Sequence, residues 1–167
     1  MPHRAAARGT VRDNVRVGRE NGSVPADLDL VRRLAAADHG LAVVALARVD
    51  GSVQASLVNA GVIDDVATGR PALGFVVAGS AVKLRLLRRT GRATVVFRSG
   101  WEWVSVDGPV RLVGPDDGAG DDLPRLLREV FAAAGGTHDD WAEFDRVMAA
   151  ERRTAVFVDP QRITSNG

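Results

Sequence analysis

Apolar positions change period several times along this chain, and each change marks an element. From Asp27, a candidate N-cap, Leu28, Leu30, Val31, Leu34 and Ala35 recur at helical spacing and predict a short amphipathic helix ending near His39-Gly40. The valine-rich residues 41–49 predict a strand, Asp50-Gly51 is a hairpin signal, and residues 52–58 predict the partner strand. In that partner Val53, Ala55 and Leu57 alternate with Gln54, Ser56 and Val58, so one face is apolar and the other carries small polar groups. Residues 59–70, with two glycines and Asp64-Asp65, read as a loop, and residues 72–78 as a third strand.

A turn at Gly79-Ser80 then opens a helix, and residues 93–98 predict a fourth strand. Residues 101–113 are long and β-rich, with Asp107-Gly108-Pro109 predicting a bulge or tight bend and Trp101, Trp103 and Ser105 on one face. Two helical stripes follow. Leu123, Leu126, Leu127, Val130 and Phe131 form one, closed by Gly135-Gly136; Trp141, Phe144, Val147 and Met148 form another, starting at Asp139 or Asp140. Residues 154–158 predict a last strand, interrupted by Asp159-Pro160 and resumed at Arg162-Ile163. Sequential strands with one inserted helix and a helical excursion before the closing strand predict a mainly β fold, an antiparallel β-barrel with peripheral helices.

Residues 1–25 are polar and lack a sustained apolar face, so they read as a flexible N-terminal tail ahead of one domain over residues 26–167. In the tail Arg4, Arg8, Arg12 and Arg16 recur every four residues, but Gly9, Asn14 and Gly18 oppose a stable basic helix for nucleic acid or membrane. With a net charge of +1 the whole chain lacks the electrostatic footprint of a nucleic-acid binder. Cysteine is absent, which excludes thiol catalysis and thiolate metal sites. Without an apolar leader or an apolar run of spanning length, a cytoplasmic protein with no membrane partner is expected. No G-x-G-x-x-G follows a strand and no P-loop signature occurs, so nicotinamide and nucleoside triphosphate motifs have no support. His138 with Asp139, Asp140 and Glu143 has metal-ligand chemistry, yet acids gather at a helix N-terminus anyway, and no metal is expected.

One position departs from the arginine-rich background. Lys83 is the only lysine, and it falls in the first turn of the helix after Gly79-Ser80, on the side opposite the stripe Arg85, Arg88, Arg89 and Arg92. A helix start carries about half a positive charge, so an ammonium there meets backbone repulsion as well as the cost of leaving water. A phosphate held by the free N–H groups of the turn would offset both, with Ser80 as N-cap and second donor and Lys83 as point charge. A lysine that extends its head to solvent along the apolar border is the plainer alternative.

The order of elements, with Val49-Asp50-Gly51-Ser52, the Gly79-Ser80 turn with Lys83, Leu87 and Arg92, and the run from Gly100-Trp101-Glu102-Trp103 to Val106-Asp107-Gly108, resembles the split β-barrel flavin and deazaflavin family that includes pyridoxamine 5'-phosphate oxidases and F420-dependent oxidoreductases. The insertion from Leu127-Arg128-Glu129-Val130-Phe131 through Gly135-Gly136-Thr137-His138-Asp139-Asp140-Trp141 is similar to the F420-dependent subgroup. Two places depart from the family pattern: Leu86 stands where asparagine is frequent, and Thr90-Gly91 where Asp-Pro is.

This resemblance implies a homodimer with two cofactor sites at the interface, each using residues of both chains. The strand through Ser56, Val58 and Asn59 and the strand end Val77, Ala78, Gly79 and Ser80 would line the ring of F420. Lys83 with Ser80 would hold its phosphate, Arg88 or Arg92 would add charge, and Trp101 and Trp103 would lie near the ring or the partner chain. The implied activity is hydride transfer from reduced F420 to an electron-poor small molecule, with no side chain required as general acid or base. FMN in the same groove is one alternative. A non-catalytic carrier of flavin, haem or another tetrapyrrole is a second, and a nucleic-acid module using the basic tail is a third.

Overall fold

Residues 27–166 are described by the computed structural model of the chain. Seven strands, β1 (Leu41–Ala47), β2 (Val53–Asp65), β3 (Arg70–Val77), β4 (Arg92–Ser99), β5 (Glu102–Val113), β6 (Thr154–Val158) and β7 (Arg162–Ser165), pair in the order β4-β1-β2-β3-β6-β5-β7. All neighbours are antiparallel, and a further β4–β5 pairing closes the first six into a barrel. Closure removes the free strand edges that an open sheet of this size would expose. This is the split β-barrel with peripheral helices expected from the sequence.

Among the described residues four α-helices surround it: α1 (Leu28–Ala37), α2 (Val82–Thr90), α3 (Leu123–Ala133) and α4 (Trp141–Ala150). Asp27 and Asp140 cap α1 and α4 with their carboxylates, the first accepting from the N–H groups of Asp29 and Leu30 and the second from Glu143. The core has two parts. Inside the barrel Val44, Leu46, Phe75, Val95, Phe97, Val104 and Val106 meet Leu30, Val31 and Leu34 of α1 and Leu84 and Leu87 of α2. Outside it, Leu126, Leu127 and Val130 of α3 and Phe144 of α4 cover Ala72, Ala155 and Phe157. The continuous apolar run of β3 follows from this double burial: Leu73, Phe75 and Val77 face the barrel, while Ala72 and Val76 face α3 and α4.

The sequence reading needs correction in three places. Residues 59–70 are not a loop: β2 runs on to Asp65, leaves β1 at Asn59 and pairs with β3 from Ala60, so only the turn at residues 66–69 is irregular. The polar pair Asp64-Asp65 misled the pattern because Asp65 is buried with Arg111, whose Nε donates to it at 3.0 Å. Arg92 is not on the helical stripe, since Gly91 ends α2 in the left-handed conformation at φ 63° and Arg92 begins β4. At Asp107-Gly108-Pro109, β5 stays continuous and changes partner there, from β4 and β7 to β6 at Val110. The N-terminal tail of residues 1–25, with its arginines, lies outside the described residues.

Gly61 marks where α3 docks. A Cβ there would stand 1.9 Å from the Ala133 carbonyl oxygen, so only a glycine lets the end of α3 lie directly on β2.

Candidate functional site

The turn from Ala78 to Ala81 joins the end of β3 to α2 and is pinned from behind. Gly79 N–H donates to the Glu151 carbonyl at 3.0 Å, and a Cβ on Gly79 would meet the Arg152 backbone and Cβ at 2.8 Å. The chain between α4 and β6 is thereby pressed against the turn. The N-cap of α2 is Ala81 rather than the expected Ser80, and no side chain caps the helix; the Ser80 carbonyl instead accepts from Arg85 Nη1 at 3.4 Å. Ala81 N–H donates to the Ala78 carbonyl at 3.0 Å and Leu84 N–H to the Ala81 carbonyl at 3.1 Å, which leaves the N–H groups of Val82 and Lys83 to water or a ligand.

Lys83 is half-buried, as its helical position predicts. Its Nζ donates to the Leu57 carbonyl of β2 at 3.2 Å. Burial, and then repulsion from Arg153, hold its pKa below the ordinary lysine value, and no carboxylate among the described residues opposes the shift. A neutral carbonyl satisfies one of the three ammonium donors without neutralising the charge.

Around this ammonium the expected site residues divide. Ala78 and Gly79 are half-buried beside it in the chain, whereas the Val77 side chain belongs to the barrel core. On β2 the alternation is inverted relative to a simple core face. Val58 is buried in the barrel core and Ser56 shares its side of the strand, while Leu57 and Asn59 point outward. Val58 therefore offers a ligand its backbone only. Asn59 is fixed by its Nδ2, which donates to the His39 carbonyl at 3.0 Å.

Two expected cations are engaged elsewhere. Arg88 pairs with Asp117 at 3.2 Å and lies near Asp116, which also holds Arg152. Arg92 donates to Asp107 at 3.0 Å and to Gln161 at 3.1 Å. Arg153, at the foot of β6, is the cation that repels Lys83, and nothing local in the chain marks it. It lies 70 residues further on, and only the pairing of Val77 with Thr154 brings it alongside. Its Nε and Nη2 are held by Glu151 at 2.7 and 2.5 Å.

The outward face of the β1–β2 hairpin is apolar and is left exposed by the described residues. Leu41 and Val43 are 38% exposed, Leu57 60% and Val53 61%, and the register Leu41↔Asn59, Val43↔Leu57, Ala47↔Val53 places them on one surface with Lys83's carbonyl partner in its midst. Val43 also pairs with Val96, extending the face onto β4. Trp101 is 92% exposed in the β4–β5 turn, and its backbone carbonyl accepts from Asn166 Nδ2 at 2.7 Å. Trp103 is half-buried, and its N–H donates to Asn166 Oδ1 at 2.9 Å.

No group of three metal-ligating side chains occurs among the described residues. His138 Nδ1 accepts from the Asp140 N–H at 3.1 Å, a local turn contact. No helix among them is long and apolar enough to cross a membrane.

No family model and no curated protein matches this sequence. Solved structures do match. A pyridoxamine 5'-phosphate oxidase-related, FMN-binding protein from Nostoc punctiforme is 12% identical with a TM-score of 0.59, covering 87% of this chain and 86% of its own. An F420 reductase is 15% identical with a TM-score of 0.52, over 74% and 88%. A haem-binding protein from Mycobacterium smegmatis is 19% identical with a TM-score of 0.58, over 87% of this chain and 56% of its own. At such identities the likeness establishes the split-barrel fold these proteins share.

Proposed function

We propose that the protein is an F420-dependent oxidoreductase acting as a homodimer, with a cofactor groove at Lys83 on each protomer. One observation carries the reading: a half-buried ammonium at a helix start, hydrogen-bonded to a neutral carbonyl and repelled by a second cation, with no carboxylate among the described residues to balance it. The donor set fits a phosphate. Lys83 would supply a point charge and the uncapped start of α2 the N–H groups of Val82 and Lys83, in a turn that Gly79 lets pack against the chain between α4 and β6. The F420 reductase among the structural neighbours supports this choice of cofactor, and the FMN-binding neighbour supports FMN as the second reading.

The chemistry that reduced F420 would supply there is a hydride from its deazaflavin carbon to an electron-poor organic acceptor, with the accompanying proton drawn from water. The chain binds, orients and excludes water. Lys83 and the turn at residues 78–81 would hold the phosphate, and the outer surface of β2 at Leu57 and Asn59 would carry the ring. A second copy seated on Leu41, Val43, Val53 and Leu57 would close the groove to solvent and bury a surface that a single protomer leaves in water. The exposed Trp101 lies in a turn available to either the partner or the ring.

Turnover tests the assignment: oxidation of reduced F420 with quinones, enones, nitroaromatics and biliverdin as acceptors. Multiple turnovers with any of them support the enzyme. Tight cofactor binding without turnover on the whole panel supports a carrier instead, the role that the haem-binding neighbour favours.

A further inference from the structure

Beside the Lys83 groove, α3 and α4 roof a cavity of about 240 Å3 over the end of the β2–β3 pair. Val76, Val130, Phe131, Ala134 and Met148 make its walls apolar, and among the described residues the only polar lining side chains are Asn59 and Arg153. Both belong equally to the surroundings of Lys83: Asn59 follows Leu57 on the same face of β2, and Arg153 is near enough to repel the ammonium. The cavity and the surroundings of Lys83 therefore adjoin at Asn59 and Arg153.

We infer that this cavity is the acceptor subsite, and that it takes a flat organic acid whose apolar body lies against Phe131 and Met148 and whose carboxylate meets Arg153. The inference rests on the cofactor reading above. Size separates the two ligands: whole ligand sites run to about 300–1,000 Å3, so a space of this volume holds a one-ring molecule and not a cofactor. Charge selects the end group. Glu151 engages Nε and Nη2 of Arg153 and leaves Nη1 without a protein acceptor among the described residues, so one guanidinium edge is oriented and both N–H groups of Nη1 are free. Met148 supplies an unbranched, polarizable wall that adjusts to an aromatic or unsaturated body. The helical excursion between β5 and β6 thus gains a purpose beyond covering the barrel, since four of the five apolar walls come from it.

The full chain, saturated with F420, is titrated with trans-cinnamate and with trans-cinnamamide as its uncharged match. The expected result is saturable binding of the acid, at least about tenfold tighter than the amide. Arg153→Gln should bring the acid down to the level of the amide. Met148→Trp should fill the cavity and abolish binding of both, with the thermal transition and the F420 affinity unchanged. Equal binding of acid and amide, or undiminished acid binding in Met148→Trp, overturns the inference. So does absence of acid binding to protein that has taken up F420. Failure of the cofactor reading looks different, because F420 itself then does not bind.

Discussion

The carbonyl of Leu57 accepts a hydrogen bond from Lys83 Nζ at 3.2 Å, linking the outer edge of β2 to the first turn of α2. This contact joins the uncovered apolar strand face to the charge at the helix start, and it places any anion held by the ammonium next to that face. Strand and helix are adjacent here because β3 passes directly into the turn at residues 78–81.

Protonation of Lys83 should govern anion binding. Burial and Arg153 lower its folded-state pKa below the ordinary 10.5, so the ammonium is lost at a lower pH than for a free lysine. Affinity for FMN phosphate should accordingly fall as pH rises through that depressed value, and riboflavin, which lacks the phosphate, should show no such fall. In Lys83→Met the alkaline limb should vanish. Titration of both ligands between pH 7 and about 10 checks it.

The outward β1–β2 face should hold two protomers together. Leu57→Asp and Val43→Asp each put a carboxylate on a surface already in contact with water in one protomer, so neither disturbs the barrel core. Sedimentation should give a dimer for the wild type and a monomer for either variant, at similar thermal stability of the protomer.

Asp65 should make an acid-sensitive contribution to stability. Burial raises its pKa, but hydrogen bonds from Arg111 and the Ala67 N–H, with the charge of Arg111 and Arg70, outweigh it and leave a net lowering. A depressed folded pKa gives stability that is present above the unfolded value near 3.8 and is lost as pH falls through the folded value. Asp65→Asn should cost about 1.5–3 kcal/mol at pH 7, and the gap from wild type should close below about pH 4. Denaturant unfolding across that range measures it.

Gly61→Ala should cost about 1–3 kcal/mol, because its Cβ meets backbone rather than a movable side chain. Thermal unfolding of this variant reads how firmly α3 is docked on β2.

Much of the fold was legible because local signals and tertiary environment agree. The cap at Asp27, the hairpin turn at Asp50-Gly51 and the stripes of α3 and α4 appear where the pattern places them. The end of β2 was not legible, because its carboxylates looked solvated and their partner, Arg111, lies 46 residues away. At the site, Lys83 was visible as an anomaly of charge at a helix start, and its burial agrees. Arg153 was invisible because nothing local distinguishes it from the chain's many arginines, and only the β3–β6 register brings it alongside Lys83. The outward direction of Val53 and Leu57 was also hidden: alternation separates two faces without saying which one is inside.

The most direct test is a paired titration of wild type and Lys83→Ala with F420 and with FMN. The wild type should bind both, F420 more tightly, and Lys83→Ala should lose roughly 1–3 kcal/mol with each while its thermal transition stays in place. Failure of both cofactors to bind, or equal affinity in wild type and Lys83→Ala, contradicts the phosphate site; tighter binding of FMN contradicts the choice of F420.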